Sequence, residues 1–232
     1  MVIFKYVLIS VALAAGSVAG AADADTLQDQ VLAMARNTRS DAFSFRRTMV
    51  MESTGSARKV VIEQFDPRRP AGAQWSLISV DGAAPTAKQV EQSRKAKRGP
   101  VPSYAQIAEW FGAPATRSDH APGYVLYRFA RLPQGALKIG SHDASADTQA
   151  EALVNTRGGV PFVEQVRLTS TKGFRMMLVA LLQSMTISGH YRLLPDGHAV
   201  PADSASNLTG SLLGKAGQIK TTVTYTDFQK VR

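Results

Sequence analysis

The sequence predicts a mainly β fold of the α+β type. The expected form is a curled antiparallel sheet that makes an incomplete β-barrel, with helices packed over its concave face. Three observations support this prediction. About nine segments carry strand patterns, nearly all of them are joined by short turns, and helix signals occur only near residue 30 and in one stretch in the middle. Short connections favour antiparallel neighbours, because parallel strands need long crossovers.

Residues 25–39 predict the first helix. Apolar residues, Val31 and Ala35 among them, recur there with a period close to 3.6 residues. Asp25 or Thr26 is suited to cap the start of the helix. The segment can therefore present an apolar stripe to a sheet.

Three strand patterns follow this helix. The first alternates apolar side chains from Phe43 to Met51, with Arg47 among them. The second spans 58–65 and the third spans 74–80, and they end at Asp-Pro and Asp-Gly pairs respectively. The three together predict an antiparallel meander.

Residues 86–112 predict a helical insert made of two short helices. Each helix has Pro and a hydroxyl residue near its start and Gly just after its end. The first, at 86–99, has Val90 as its only large aliphatic residue, so it predicts a surface connector or a lid. The second, at 103–112, places Ile107 and aromatic residues on one side and can pack on a sheet.

Strand patterns dominate again from residue 123 onward. The predicted strands are 124–131, 150–157, 160–169, 174–194, 208–213 and 218–228. The pair Gly158-Gly159 predicts a two-residue hairpin turn. Periodicity alone leaves 176–182 open between a helix and a buried strand, and the alternation after Ser184 favours a strand.

Residues 1–21 predict a cleavable secretory signal peptide. Lys5 precedes an uncharged stretch from Tyr6 to Gly20 that ends in small residues. This stretch is shorter than the roughly 20 residues that a membrane-spanning helix needs. No cysteine is present to carry a lipid anchor. The prediction is a soluble periplasmic protein with one domain at 22–232.

The formal net charge is +9, and removal of the signal peptide deletes one lysine and no acid, which leaves +8. A basic exported protein predicts anionic partners, including transient contact with an anionic membrane surface. Solubility alone also explains such a charge. Nucleic acid is not an expected partner in the periplasm.

The sequence predicts no enzymatic activity, no cofactor and no metal site. It has no cysteine nucleophile, no phosphate-binding glycine loop and no nucleophile-elbow motif after the signal. Its four histidines do not have the spacing of zinc ligands. His190 predicts a structural, hydrogen-bonded side chain on a strand, and Asp119-His120 predicts a turn. The adjacent His142 and Asp143, in a polar loop, keep a hydrolase open as a third functional hypothesis.

Large apolar side chains exceed what a simple one-faced sheet requires. Five methionines lie on predicted strands, and their unbranched thioethers adapt to varied apolar shapes. The excess predicts either a well-filled core or an apolar cavity for a lipid chain. By strand alternation and size, the predicted cavity-lining residues are Phe45, Met49, Trp75, Leu77, Leu126 and Met177. A register shift of one residue would turn each of them to the other face.

The order of motifs along the chain carries further information. After the signal peptide, a helix and a strand come Phe65-Asp66-Pro67-Arg68, the strand from Trp75 to Asp81-Gly82, Pro85-Thr86, the helical insert, and final strands that end in Thr224-Tyr225-Thr226-Asp227-Phe228. This order resembles the periplasmic lipoprotein-carrier superfamily, that of LolA, LolB and related outer-membrane lipoprotein-sorting proteins.

The resemblance implies a LolA-like half-barrel over 22–232, with helices as a lid over an apolar hollow that holds acyl chains. The implied function is non-catalytic carriage of a lipid or a lipidated protein through the periplasm. The alternative is an envelope sensor or adaptor that uses the same fold to bind another protein.

Overall fold

The computed structural model describes residues 25–39, 41–96, 101–140, 142–177 and 180–231, and the predicted signal peptide lies outside them. The side chains of Met176, Met177, Ala180 and Leu212 are also outside the description. The helices are α1 (Thr26–Asn37), α2 (Ala87–Lys95) and the 3-10 helices η1 (Tyr104–Glu109) and η2 (Ser145–Asp147). The strands are β1 (Phe43–Ser53), β2 (Lys59–Phe65), β3 (Trp75–Val80), β4 (Thr116–Ala121), β5 (Tyr124–Phe129), β6 (Lys138–Ile139), β7 (His142–Asp143), β8 (Thr148–Asn155), β9 (Phe162–Ser170), β10 (Phe174–Met177), β11 (Ala180–Leu193), β12 (Ala199–Leu212) and β13 (Lys215–Lys230).

The predicted fold class is confirmed. Eleven strands form one antiparallel sheet in the order β3-β2-β1-β13-β12-β11-β9-β8-β5-β4, with β10 beside β11. The sheet is open, with β3 and β4 at its two edges. Strands β6 and β7 form a separate two-stranded ribbon.

Several element predictions are confirmed and others are wrong. The first helix, the three-strand meander and the strand character of 180–193 are present. Strands β8 and β9 do form a hairpin around Gly158-Gly159, but the predicted two-residue turn is wrong, because six residues, 156–161, connect Asn155 to Phe162. Asp119 and His120 lie inside β4 and not in a turn, because this polar edge strand pairs with β5. The second insert helix is 3-10 rather than α-helical.

One half of the concave face is covered by helices. Val31 and Ala35 of α1 pack with Tyr104, Ile107 and neighbouring residues of η1 against β5, β8 and β9. Gln28 Nε2 of α1 donates to the carbonyls of Phe111 at 2.5 Å and Ala113 at 3.0 Å, which lie just after η1. The two helices therefore act as one cover over β5, β8 and β9.

A hydrogen-bonded cap fixes the cover to the sheet. Asp25 is the N-cap of α1 and accepts from the amides of Leu27 and Gln28. Its other oxygen accepts from the Tyr127 hydroxyl of β5 at 2.8 Å, and Arg117 of β4 lies 3.1 Å from its Oδ1. One carboxylate thus joins the start of α1 to two strands.

Candidate functional site

The concave face contains a row of paired residues whose side chains are smallest at the centre of the row. The pairing runs from Met49 of β1 through Val223, Ser204 and Gly189 to Val166 of β9. Paired residues in a sheet point to the same face, so these five side chains form one row. The central members, Ser204 and Gly189, are small. A hollow opens above them.

We call this hollow the groove. Its volume is about 280 Å³. Its floor is formed by Val166, Gly189, Ser204 and Tyr225, and its walls by η1 and the loop before β6, with Gln106, Ile107, Glu109, Trp110, Ala136 and Leu137. Most of these side chains are apolar or aromatic, as in pockets for apolar ligands.

Tyrosines surround the narrow end of the groove. Tyr104 is fully buried, accepts from the Val163 amide at 2.7 Å and meets the Tyr191 ring edge-on at 5.2 Å. Burial raises the pKa of Tyr191 and of Tyr225, and Ser204 hydrogen-bonds the latter. These phenols stay neutral at neutral pH and offer the groove polar hydroxyl groups.

Beyond the groove, the concave face is open over β1, β13, β12 and β11. Met49, Met51, Val223, Ile187 and Leu208 lie on this face and are half-buried. Their apolar surface is continuous with the groove, because Val223 and Ile187 stand on strands that also form its floor. We call this area the open half.

An aromatic cluster closes the β1–β3 side of the open half. Phe45 and Phe65 are buried, and their ring centroids are 5.2 Å apart. Trp75 lies 5.7 Å from Phe45 and Tyr225 lies 5.8 Å from it, both edge-on. Asp227, with φ of 55°, sits at a bulge between β1 and β13. The cluster is an aromatic wall beside the apolar surface.

A buried ion pair stands on the same face. Arg47 Nη2 is 2.6 Å from Glu63 Oε2, and the two side chains are 17% and 5% exposed. The guanidinium lies 3.9 Å above the Trp75 ring, a cation–π contact. Ser93 of α2 donates to Glu63 Oε1 at 3.4 Å. Helix α2, which has no buried residue of its own, therefore meets the open half through a polar contact.

The six predicted lining residues fall into three places. Phe45, Met49, Trp75 and Leu77 share the concave face of β1 and β3, as the pairing of Phe45 with Phe65 and of Leu77 with Glu63 shows. Leu126 points to the opposite face of β5 from the buried Tyr127. Met177 pairs with Ala180 in the β10–β11 hairpin, and its side chain is outside the description.

Sequence reasoning missed the centre of the groove. Gly189 and Ser204 carry no hydrophobic signal, and the sequence does not determine which face of the sheet Tyr191 and Tyr225 occupy. A small residue opposite another small residue across two strands is the signal that marks a hollow, but it appears only once the register is known.

His142 and His190 occupy structural settings. His142 stacks on Phe174 with ring centroids 3.9 Å apart. Asp143 accepts instead from the Gly135 amide and from Ser145, and these hydrogen bonds keep its pKa low. The hydrogen bond predicted for His190 is confirmed, with Asp203 Oδ1 2.7 Å from its Nδ1. Within the described residues there is no cluster of three potential metal ligands.

A second, larger depression of about 580 Å³ lies on the outer face of β5, β8 and β9. Its outward-pointing side chains include Arg128, Glu151 and Arg167, and the first two form an ion pair at 3.0 Å. A charged, open surface of this kind does not suit an acyl chain. The groove is therefore the better candidate site.

Comparisons with known proteins add one structural likeness. No family model matches the chain, and no curated protein matches it. Among solved structures, a LolA superfamily protein from Nitrosomonas europaea aligns over 89% of this chain and 93% of its own, with 12% identity and a TM-score of 0.41. Among the helices in the described ranges, none is both long and apolar enough to cross a membrane.

Proposed function

We propose that this protein is a periplasmic, non-catalytic carrier that binds a lipid, or the acyl chain of a lipidated protein, on its concave face. The observation that carries the proposal is the continuity between the roofed groove and the open half. Together they form an apolar track that a folded core would otherwise fill.

The dimensions suit a chain better than a compact ligand. The groove, at about 280 Å³, is at the small end of ligand pockets. It holds one end of an acyl chain, and the remainder lies along Met49, Val223, Ile187 and Leu208 in the open half. Burial contributes about 0.8 kcal/mol per methylene, so eight methylenes contribute roughly 6 kcal/mol before ordering costs.

The Arg47–Glu63 pair gives the track a polar side. An acyl chain cannot replace its hydrogen bonds, so the chain is directed along the Met49 side and the lipid head stays near solvent. Methionine suits such a surface because it adapts to chains of different shape.

The decisive experiment blocks the floor of the groove. A Cβ atom at position 189 would lie 3.3 Å from Cγ2 of Val166 and 3.7 Å from the Asp203 carbonyl oxygen, so a larger side chain there occupies the floor of the groove. We expect Gly189→Leu to weaken uptake of a fluorescent fatty acid at least tenfold, with the fold retained by circular dichroism.

The matched control is Gly158→Leu at the β8–β9 turn, where an added Cβ meets no atom within 4 Å. It should leave uptake unchanged. Native mass spectrometry of protein purified from a bacterial periplasm should show a co-purifying lipid. Equal uptake by both variants, or no uptake at all together with one stoichiometric protein partner, would overturn the carrier and favour the sensor or adaptor.

A further inference from the structure

Leu213 occupies the first position of the β12–β13 turn, where Asn, Asp or Gly is usually found. Leu213 and Gly214 form this two-residue turn, with φ of 52° and 78°. Positive φ at both positions is the geometry of a type I′ turn, which favours Asn, Asp or Gly at the first position. A leucine there is strained, because its side chain is bulky.

The same leucine contributes no burial in return. Its side chain is 72% exposed, the largest exposure among the large hydrophobic residues that the structure describes. A residue that is both strained and solvated does not stabilise the fold. An outlier of this kind points to a functional role outside the folded core.

Two more exposed hydrophobic residues lie at the same end of the sheet. Ile219 is 52% exposed and pairs with Leu208 and Ser53 on the concave face. Leu181 is 37% exposed and pairs with Ser211, two positions from the turn. We call Leu181, Leu213 and Ile219 the apolar rim. Through Ile219 and Leu208 the rim is continuous with the open half.

Cations surround the apolar rim. Lys215 follows the turn, Lys220 follows Ile219, and both are exposed. Lys59 pairs with Met51 on the concave face, two strands or about 10 Å from β13. Arg58 is nearby, with Glu52 3.7 Å away, and Asp81, which accepts from the Val60 amide, lies beside Lys59. Counting these six residues, the edge carries a net charge of +2: four cations less two acids.

We propose that the apolar rim docks on the surface of an anionic phospholipid bilayer. Leu213 inserts into the headgroup–acyl boundary, while Lys59, Lys215 and Lys220 contact lipid phosphates. The lipid then has a continuous apolar path over Ile219 to the open half. This inference rests on the proposed function, because docking would serve a lipid carrier. The residues that support it lie outside the groove.

The test is co-sedimentation with vesicles made of phosphatidylglycerol and phosphatidylcholine in equal parts, compared with vesicles of phosphatidylcholine alone. The native protein should bind the anionic vesicles, and binding should weaken as salt is raised. We expect Leu213→Asn to reduce binding about tenfold. Asn fits the turn better than Leu, so the melting temperature should stay the same or rise.

Two further variants separate the contributions. Lys215→Glu with Lys220→Glu should reduce binding to the anionic vesicles by at least tenfold and remove most of its salt dependence. The control is Val160→Asn, which changes a 48% exposed residue at the β8–β9 turn, at the opposite end of the sheet. It should leave vesicle binding unchanged.

Fatty-acid uptake in solution distinguishes this inference from the proposed function. Leu213→Asn should keep full uptake, because its side chain does not line the groove. Uptake without vesicle binding, or equal loss of binding in Leu213→Asn and Val160→Asn, would overturn membrane docking and leave the carrier intact. A rim that instead joins two copies, seen as a dimer that Leu213→Asn dissociates, would also overturn it.

Discussion

The two halves of the concave face consist of similar antiparallel strands, but helices cover only one of them. Over β5, β8 and β9, the residues Tyr127, Phe129, Ala152, Val154 and Val163 are at most 1% exposed beneath α1 and η1. Over the open half, Met49, Met51, Val223 and Leu208 remain half-buried, beside the buried Arg47–Glu63 pair. The first half is a packed core, and the second retains apolar surface that the fold itself does not use.

The difference separates stability from binding. Burial of a large side chain contributes about 1.5–3 kcal/mol when complete, so each fully buried side chain of the covered half contributes more to folding than a half-buried one of the open half. The half-buried side chains of the open half contribute less of this burial free energy. In exchange they provide a surface on which a ligand can replace water.

The largest expected effect contrasts one residue from each half. Phe111→Ala should lower the free energy of unfolding by about 3–5 kcal/mol, because it removes a fully buried ring that contacts Tyr127 and Phe129. Met49→Ala should lower it by less than about 2 kcal/mol, since that side chain is half-buried, but should weaken fatty-acid uptake. Urea denaturation measures the first quantity. Equal losses of stability would show that both halves are packed core.

The next effect concerns the ion pair of the open half. Glu63→Gln leaves the Arg47 charge without its carboxylate partner and should cost about 3 kcal/mol in urea denaturation. Replacing both residues, as Arg47→Met with Glu63→Leu, should recover most of that loss. Glu91→Gln, on exposed α2, is the matched control and should cost less than about 0.5 kcal/mol. If Glu63→Gln left the free energy of unfolding unchanged, solvent would already screen the pair.

The smallest expected effect concerns Asp25, the carboxylate that joins α1 to β4 and β5. Burial raises the pKa of Asp25, but the hydrogen bonds from Tyr127 and the helix amides and the charge of Arg117 lower it further, to a net value below the ordinary one. A lowered folded pKa stabilises the protein above the unfolded value of about 3.9, and the contribution disappears as pH falls through the folded pKa.

Asp25→Asn keeps the helix cap but loses the charge. At pH 7 it should therefore be less stable than the native protein by about 1 kcal/mol. This difference should begin to shrink as pH falls below the unfolded value of about 3.9 and should vanish below the folded pKa, as measured by thermal unfolding across pH. A difference that is constant with pH would assign the effect to packing and not to the carboxylate.

The sequence was sufficient for the fold class because most strands carry clear alternation bounded by turn residues. It failed at β4, whose residues Thr116–Ala121 are polar and exposed and become a strand only by pairing with β5. It also failed at the first half of β12, where Pro201 and small polar residues conceal the pattern. Both are strands that tertiary pairing creates against weak local preference.

The site was less predictable than the fold. Tyr124–Phe129 has apolar residues on both faces, so alternation could not decide that Leu126 points away from the core while Tyr127 points into it. Gly189 and Ser204 are unremarkable until the register places them side by side. A cavity forms where neighbouring strands have small side chains, and the hydropathy pattern of the sequence does not show which residues are neighbours.

The pairing of β1 with β13 has a consequence for how the chain reaches its native state. These strands are neighbours in the middle of the sheet, and Ser44 and Gln229 meet across 185 positions of sequence. The β1–β3 meander can form early as a local unit, but its inner edge has no partner until β13 has been synthesised. Pairings over such sequence distances fold slowly, since a large loop-closure entropy precedes any gain. The aromatic side chains around Phe45 therefore remain accessible to chaperones and proteases until the final strand docks.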